Sequence, residues 1–152
     1  MKSRILQIDH MSQKMKVLCP AGSIATPPTG WVKAVRTALG MSMEQLGKRL
    51  GVTKQSIHDV EQREKEGSVT IRSLSEIANA LDMKLVYGFI PKDGTLDALI
   101  DRKARELAEK IVLRTAQNMR LEAQENSAER IEKAIMERKA EIKRTMPRML
   151  WD

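Results

Sequence analysis

GVTKQSIHDVEQ, which spans residues 51–62, decides the fold of this 152-residue chain. Ile57 and Val60 are three residues apart, a spacing that places both on one face of a helix. The polar side chains around them are then left on the outer face. A helix of this kind has a narrow buried side and a broad polar side that can contact a partner.

The flanking residues predict two short helices joined by a tight turn. Ser42 and Gln45 have the spacing of a capping box, which predicts a helix from there to Leu50. Gly51 then ends that helix, and Thr53 can cap the next one. Helix, turn and helix in this order are typical of a helix-turn-helix motif, whose second helix enters the major groove of DNA.

Two further helices complete a predicted four-helix domain over residues 31–82. Apolar residues recur at helical spacing from Trp31 to Leu39 and again from Ile71 to Leu81. The first of these helices places Trp31 in the predicted core. The charge is uneven along this part of the chain, since residues 31–57 carry five basic groups and one acidic group.

The second helix of the predicted motif supplies the candidate base-reading side chains. Lysine donates to guanine, glutamine pairs with adenine and aspartate accepts from cytosine in the major groove. The predicted base contacts are Lys54, Gln55, Ser56, His58 and Asp59. The predicted phosphate contacts, which would supply most of the affinity, are Lys33, Arg36, Lys48, Arg49 and Thr53.

A plain surface helix of a small bundle is the alternative interpretation of this polar face. The order Ser-x-x-Gln-Leu-Gly, Leu-Gly-Val-Thr, x-x-Ser-Ile, x-x-Val-Glu favours the motif, because turn, caps and core positions coincide. The stretch resembles the helix-turn-helix of the phage-repressor (XRE/Cro-type) family of transcriptional regulators. The resemblance implies base contacts at Lys54, Gln55, Ser56 and Asp59, with a phosphate contact at Thr53.

One position departs from that family. Its members usually carry glutamine where this chain has Met43, and that glutamine contacts phosphate and steadies a base-reading side chain. Because Met43 cannot do either, we expect Gln45, Lys48 or Arg49 to supply the backbone contacts.

The stretch MKLVYGFIP, residues 83–91, is rich in β-branched and aromatic residues and predicts one strand. A lone strand needs a partner, so we expect it to pair with the same strand of a second copy across a two-fold axis. The residues of this predicted dimer strand are Lys84, Leu85, Val86, Tyr87 and Phe89.

The remaining segments flank the predicted domain. Residues 1–30 predict a short amphipathic helix followed by a proline-rich linker. Residues 95–152 predict two amphipathic helices, interrupted near residues 119–127, that form a dimerisation or partner region. The predicted fold class is therefore mainly α, with a four-helix helix-turn-helix domain, one β-strand and C-terminal amphipathic helices.

A second resemblance extends over much of the chain. The segments PPTGWVKAVRTALGMS, LVYGFIPKDGTLDALIDRKARELAEKIV, MRLEAQ and PRMLWD are similar to the family called mobile mystery protein A. That resemblance implies a small bacterial regulator encoded beside a Fic-domain protein on mobile genetic elements. An antitoxin role against the Fic-domain protein is then plausible.

Other function classes find little support in the residues. Cys19 is the only cysteine, which excludes an intramolecular disulfide, and neither His10 nor His58 has neighbours at metal-ligand spacing. No apolar run is long enough for a membrane span. We expect a cytoplasmic, nucleoid-associated protein that is not an enzyme and uses no cofactor or metal.

Two hypotheses from different classes follow. The first is a homodimeric, sequence-specific transcriptional repressor that binds a palindromic operator in double-stranded DNA and regulates its own operon. The net charge of +7 and a pI near 9.7 suit a polyanionic partner, although they also fit ordinary solubilising charge. The second is an interaction module whose C-terminal helices bind and neutralise a Fic-domain partner.

Overall fold

The computed structural model describes residues 2–121 and 128–152, and these residues are mainly helical. Two short 3₁₀ turns, Cys19–Ser23 and Arg148–Trp151, accompany the α-helices. The helices in the described ranges are α1 (Lys2–Leu18), α2 (Trp31–Ala38), α3 (Met43–Leu50), α4 (Lys54–Glu66), α5 (Ile71–Ala80), α6 (Leu96–Leu121) and α7 (Ala128–Thr145).

The prediction of a β-strand over residues 83–91 is wrong. These residues have no regular secondary structure, and no β-strand occurs in the ranges that the structure describes. The physical reason is that β-branched and aromatic residues favour a strand only where a neighbouring strand accepts their backbone hydrogen bonds. The members of the predicted dimer strand therefore lie in an irregular segment: Lys84, Leu85, Val86, Tyr87 and Phe89.

The chain divides into two compact units. One unit consists of residues 23–88, called here the four-helix unit, and contains α2 to α5. The other, called here the terminal unit, combines residues 1–22 with residues 89–152. Each unit has its own cluster of buried apolar side chains.

Polar capping side chains mark the starts of α3, α4 and α5 in the four-helix unit. Ser42 and Gln45 form the predicted capping box, in which each side chain bonds the backbone N–H of the other residue. Thr53 caps α4 because its hydroxyl oxygen accepts from the Ser56 N–H. Thr70 caps α5 in the same way by accepting from the Ser73 N–H. The buried core of the four-helix unit consists of Val32, Leu46, Ile57, Ile77 and Leu81. Trp31, predicted to be in this core, is instead half exposed.

The terminal unit is built on the pairing of α6 with α7. Ile100, Ala104 and Ala108 recur every fourth residue on the buried side of α6, and Ile135 and Ile142 face them from α7. Alanine allows the two helices to approach closely.

Both ends of the described chain pack on this pair of helices. Ile8 of α1 lies against the buried cluster, and Leu150 of the last 3₁₀ turn belongs to it. Trp151, the next residue, is exposed. The predicted interruption near residues 119–127 lies largely outside the described residues.

Candidate nucleic-acid interface

The turn between α3 and α4 lies directly against the backbone of α3. Gly51 ends α3 with a φ of 70°, a left-handed conformation that glycine adopts without steric penalty. The Val52 N–H then donates to the Gly47 carbonyl oxygen at 2.9 Å. A Cβ at Gly47 would lie 2.7 Å from the carbonyl oxygen of Val52. The two glycines therefore permit the close turn from which α4 starts.

The buried side of α4 is narrow, as the sequence predicts. Ile57 is only 1% exposed, and Val60 packs against the same core. Ser56 is half-buried, with its hydroxyl oxygen 2.9 Å from that of Thr53. The other four predicted base contacts are exposed: Lys54, Gln55, His58 and Asp59.

Three of these exposed side chains form a polar cluster. The Nε2 of Gln55 donates to Oδ1 of Asp59 at 2.8 Å, one helical turn along α4. Nδ1 of His58 lies 3.6 Å from the same oxygen. The Gln55 amide keeps its carbonyl oxygen and a second N–H for a base edge, and Asp59 keeps its second oxygen as an acceptor. Such groups can read adenine and cytosine in a major groove.

The predicted phosphate contacts have different surroundings. Lys33 and Lys48 are exposed, whereas Nη1 of Arg49 donates to the Ala80 carbonyl at 2.9 Å and to Asp82 at 3.1 Å. Gln45 is committed in part to the capping box of α3 through its Oε1. Thr53 is exposed, but its hydroxyl oxygen accepts from the Ser56 N–H at 3.1 Å.

Arg36 does not lie with the other predicted phosphate contacts. It is 8% exposed, and its guanidinium donates to both oxygens of the buried Glu61, at 2.6 and 3.1 Å. A third donor, Nη1, reaches the Met41 carbonyl oxygen at 2.9 Å. Arg36 therefore joins α2 to α4 and to the loop before α3, and it is not available to a phosphate.

Further polar residues of α4 lie beside the predicted set. Gln62 and Lys65 line a small depression together with Lys33, Met43, His58 and Glu61. The signal was present in the sequence, because residues 58, 62 and 65 follow helical spacing along one face. This face extends the candidate surface by nearly two turns beyond His58.

Comparison with protein-family profiles gives one match, described as helix-turn-helix, over residues 32–87. The chain contains a helix-turn-helix domain. This domain, of the XRE type, includes both helices of the motif and all the predicted base contacts, and a domain of this type indicates a DNA-binding regulator. The match covers neither residues 1–31 nor residues 88–152, so it does not confirm the resemblance to the mobile mystery protein A family. Curated proteins and solved structures gave no significant match.

Within residues 2–121 and 128–152, no group of three or more His, Cys, Asp or Glu side chains is arranged to hold a metal ion. None of the helices in those ranges combines the length and apolar character needed to cross a bilayer.

Proposed function

We propose that this protein is a sequence-specific, DNA-binding transcriptional repressor in which α4 reads base edges in the major groove. The observation that carries the proposal is the pairing of two features on α4. Its inner side is fixed by Ile57, and its outer side presents Lys54, Gln55 and Asp59 to solvent. A rigid helix with donors and acceptors at its N-terminal end suits base recognition.

Phosphate contacts supply the affinity in this proposal. Lys33 and Lys48 are the exposed members of the predicted set, and Lys65 joins them because it lines the same depression as Lys33. Thr53 adds a hydroxyl at the start of α4, where the backbone N–H groups favour an anion. Arg36 is left out, since its guanidinium is buried against Glu61.

The proposed repressor acts as a homodimer on a palindromic operator upstream of its own operon. Two copies related by a two-fold axis would place their α4 helices about 34 Å apart, one turn of DNA. No strand takes part in this arrangement.

A second candidate function is binding of a Fic-domain partner through the terminal unit. It rests on the resemblance of the terminal segments to mobile mystery protein A. It is also favoured by Leu113 and Met136, apolar side chains of α6 and α7 that are each 48% exposed. Pull-down of a purified Fic-domain protein tests it. Loss of capture on replacing both residues by Ser supports this function, and absence of capture by the unaltered chain contradicts it.

The experiment for the repressor compares two double variants with the unaltered protein. Gln55→Ala with Asp59→Ala removes two proposed base readers, whereas Glu76→Ala with Asn79→Ala removes the same chemical groups from the exposed face of α5. The probes are the duplex that the unaltered protein enriches from a random 30-base-pair pool and a scrambled duplex of equal composition.

We expect the α4 double variant to lose about 10- to 1000-fold in preference for the enriched duplex. Binding to the scrambled duplex should change little, because phosphate contacts are retained. The α5 variant should keep the full preference. An α4 variant with unchanged preference would contradict the assignment of base reading to this helix.

A further inference from the structure

The carboxylate of Glu64 caps a helix other than its own. Its Oε1 accepts from the Trp31 N–H at 2.7 Å, and its Oε2 accepts from the Val32 N–H at 2.9 Å. These are the first two amides of α2, which have no acceptor within that helix. The residue before them, Gly30, has no side chain with which to cap them. The last turn of α4 therefore supplies the cap for α2.

Gly30 leaves the space that this carboxylate needs. A Cβ at that position would lie 2.7 Å from Oε2 of Glu64, and the backbone φ of Gly30 is 84°. Both the close approach and the positive φ favour glycine at this position. The contact between the end of α4 and the start of α2 therefore depends on the carboxylate of Glu64 and on the absence of a side chain at Gly30.

A second carboxylate lies one turn earlier on α4. Glu61 is bonded to Arg36, which belongs to the last turn of α2. Glu61 and Glu64, three residues apart, therefore hold α4 against both ends of α2. Neither carboxylate belongs to the exposed polar cluster of Gln55, His58 and Asp59. Their contacts fix how α4 is rotated and tilted, and Glu64 does not line the depression that extends the surface proposed to meet DNA.

We infer that Glu64 is a positioning residue for sequence recognition, and this inference rests on the proposed function. Glu64 is nine residues from Gln55, which corresponds to about 13 Å along the helix axis. Ile57 is buried between these two positions and keeps α4 on the core of the unit. Loss of the Glu64 contact leaves Glu61 as the remaining carboxylate that ties α4 to α2. The tilt of α4 then changes, so its base-reading side chains shift relative to the DNA while exposed lysines still reach phosphates.

The test replaces Glu64 by Gln, with Glu66→Gln as the matched control. Both changes remove one negative charge from the last turns of α4, but Glu66 is exposed and accepts from Gln62 of the same helix. The probes are again the enriched duplex and its scrambled counterpart. Circular dichroism fixes an assay temperature at which every variant keeps its full helix content. Amide exchange at Trp31 and Val32 reports the state of the cap.

We expect Glu64→Gln to lose about tenfold in preference for the enriched duplex, the equivalent of one weakened base contact. Affinity for the scrambled duplex should stay within about twofold, since phosphate contacts are retained. The Trp31 and Val32 amides should exchange faster in this variant alone. Glu66→Gln should match the unaltered protein in every measurement.

Two results overturn the inference alone: an unchanged preference in Glu64→Gln, or an equal loss of affinity for both duplexes, which indicates a general structural role. If Glu64→Gln does not stay folded, Glu64→Asp keeps the charge but shortens the reach to the two amides. The same selective loss then supports the inference, and an unchanged preference overturns it. An unaltered protein without any preference overturns the proposed function, and the inference with it.

Discussion

The buried pair of Arg36 and Glu61 joins three segments of the four-helix unit. Two hydrogen bonds link the charged groups, and a third runs from Arg36 to the Met41 carbonyl oxygen. A buried charge is tolerated only when it is paired and its donors are satisfied. Loss of one member of the pair is therefore more costly than replacement of both.

We predict that Glu61→Ala destabilises the four-helix unit by about 3–5 kcal/mol, because it leaves the Arg36 guanidinium buried without its counter-charge. The double variant Arg36→Met with Glu61→Leu should recover much of that loss. Lys33→Met is the control, since it removes an exposed positive charge from the same helix. Denaturant unfolding followed by circular dichroism gives the free energies. Equal stability of Glu61→Ala and the unaltered protein would contradict the role of the pair.

The sequence predicts the exposed residues of α4 better than it predicts their neighbours. Ile57 and Val60 determine which side of α4 is buried, so the exposure of Gln55 and Asp59 follows from spacing alone. The burial of Arg36 does not follow, because its partner is 25 positions away and a basic residue in a basic segment fits a phosphate contact equally well. The contact between Glu64 and the start of α2 was missed for the same reason.

At the level of elements, α6 and α7 are joined by charged side chains as well as by their apolar core. Nζ of Lys139 lies 2.6 Å from one oxygen of Asp101, and Nζ of Lys143 donates to the other at 3.0 Å. Arg105 of α6 bonds Glu132 of α7 at 3.0 Å. The hydrogen bond from Lys139, followed by that from Lys143, holds the pKa of Asp101 below its ordinary value.

This lowered pKa gives the terminal unit a pH-dependent stability. Asp101 binds its proton less readily in the folded chain than in the unfolded chain, whose Asp pKa is about 3.9. Its contribution is therefore complete above about pH 5 and is lost as the pH falls through the lower folded value. We predict that Asp101→Asn lowers the unfolding temperature at pH 7 and has little effect near pH 2.

Thermal unfolding of the full chain between pH 2 and pH 7 checks this prediction. Glu137→Gln, a change of the same charge at an exposed position of α7, serves as the control and should leave the pH profile unchanged. The same destabilisation by Asp101→Asn at pH 2 and pH 7 would show that the carboxylate charge is not the cause.

Helices were predictable here where the local signals agree, and the strand was not. Ser42 with Gln45, and Thr53, define helix starts through contacts within four residues, and both caps are present. The stretch over residues 83–91 has the composition of a strand but no partner among the described residues. Composition measures how well side chains fit a sheet, and a sheet needs a second strand. Packing of α1 on α6 within the terminal unit likewise depends on a partner far along the chain.

At the level of the whole molecule, positive charge is spread over both units. The four-helix unit carries nine basic and seven acidic residues, and Arg36, Glu61 and Glu64 among these are engaged in contacts within the unit. The net positive charge of the four-helix unit is therefore small. Few of its basic side chains are proposed to contact phosphates. For three to five phosphate contacts per protomer, the slope of log Kobs against log salt is about −2.7 to −4.5 per protomer.

The most direct measurement of sequence-specific DNA binding is a titration of the purified, unaltered protein. Fluorescence anisotropy compares the duplex enriched from the random 30-base-pair pool with a scrambled duplex, over a series of salt concentrations. We predict a two-fold symmetric enriched sequence, bound at least about 1000-fold more tightly than the scrambled one, with affinity that falls as salt rises. Failure to enrich any sequence, or equal affinity for both duplexes at every salt concentration, would contradict the proposal that α4 reads DNA.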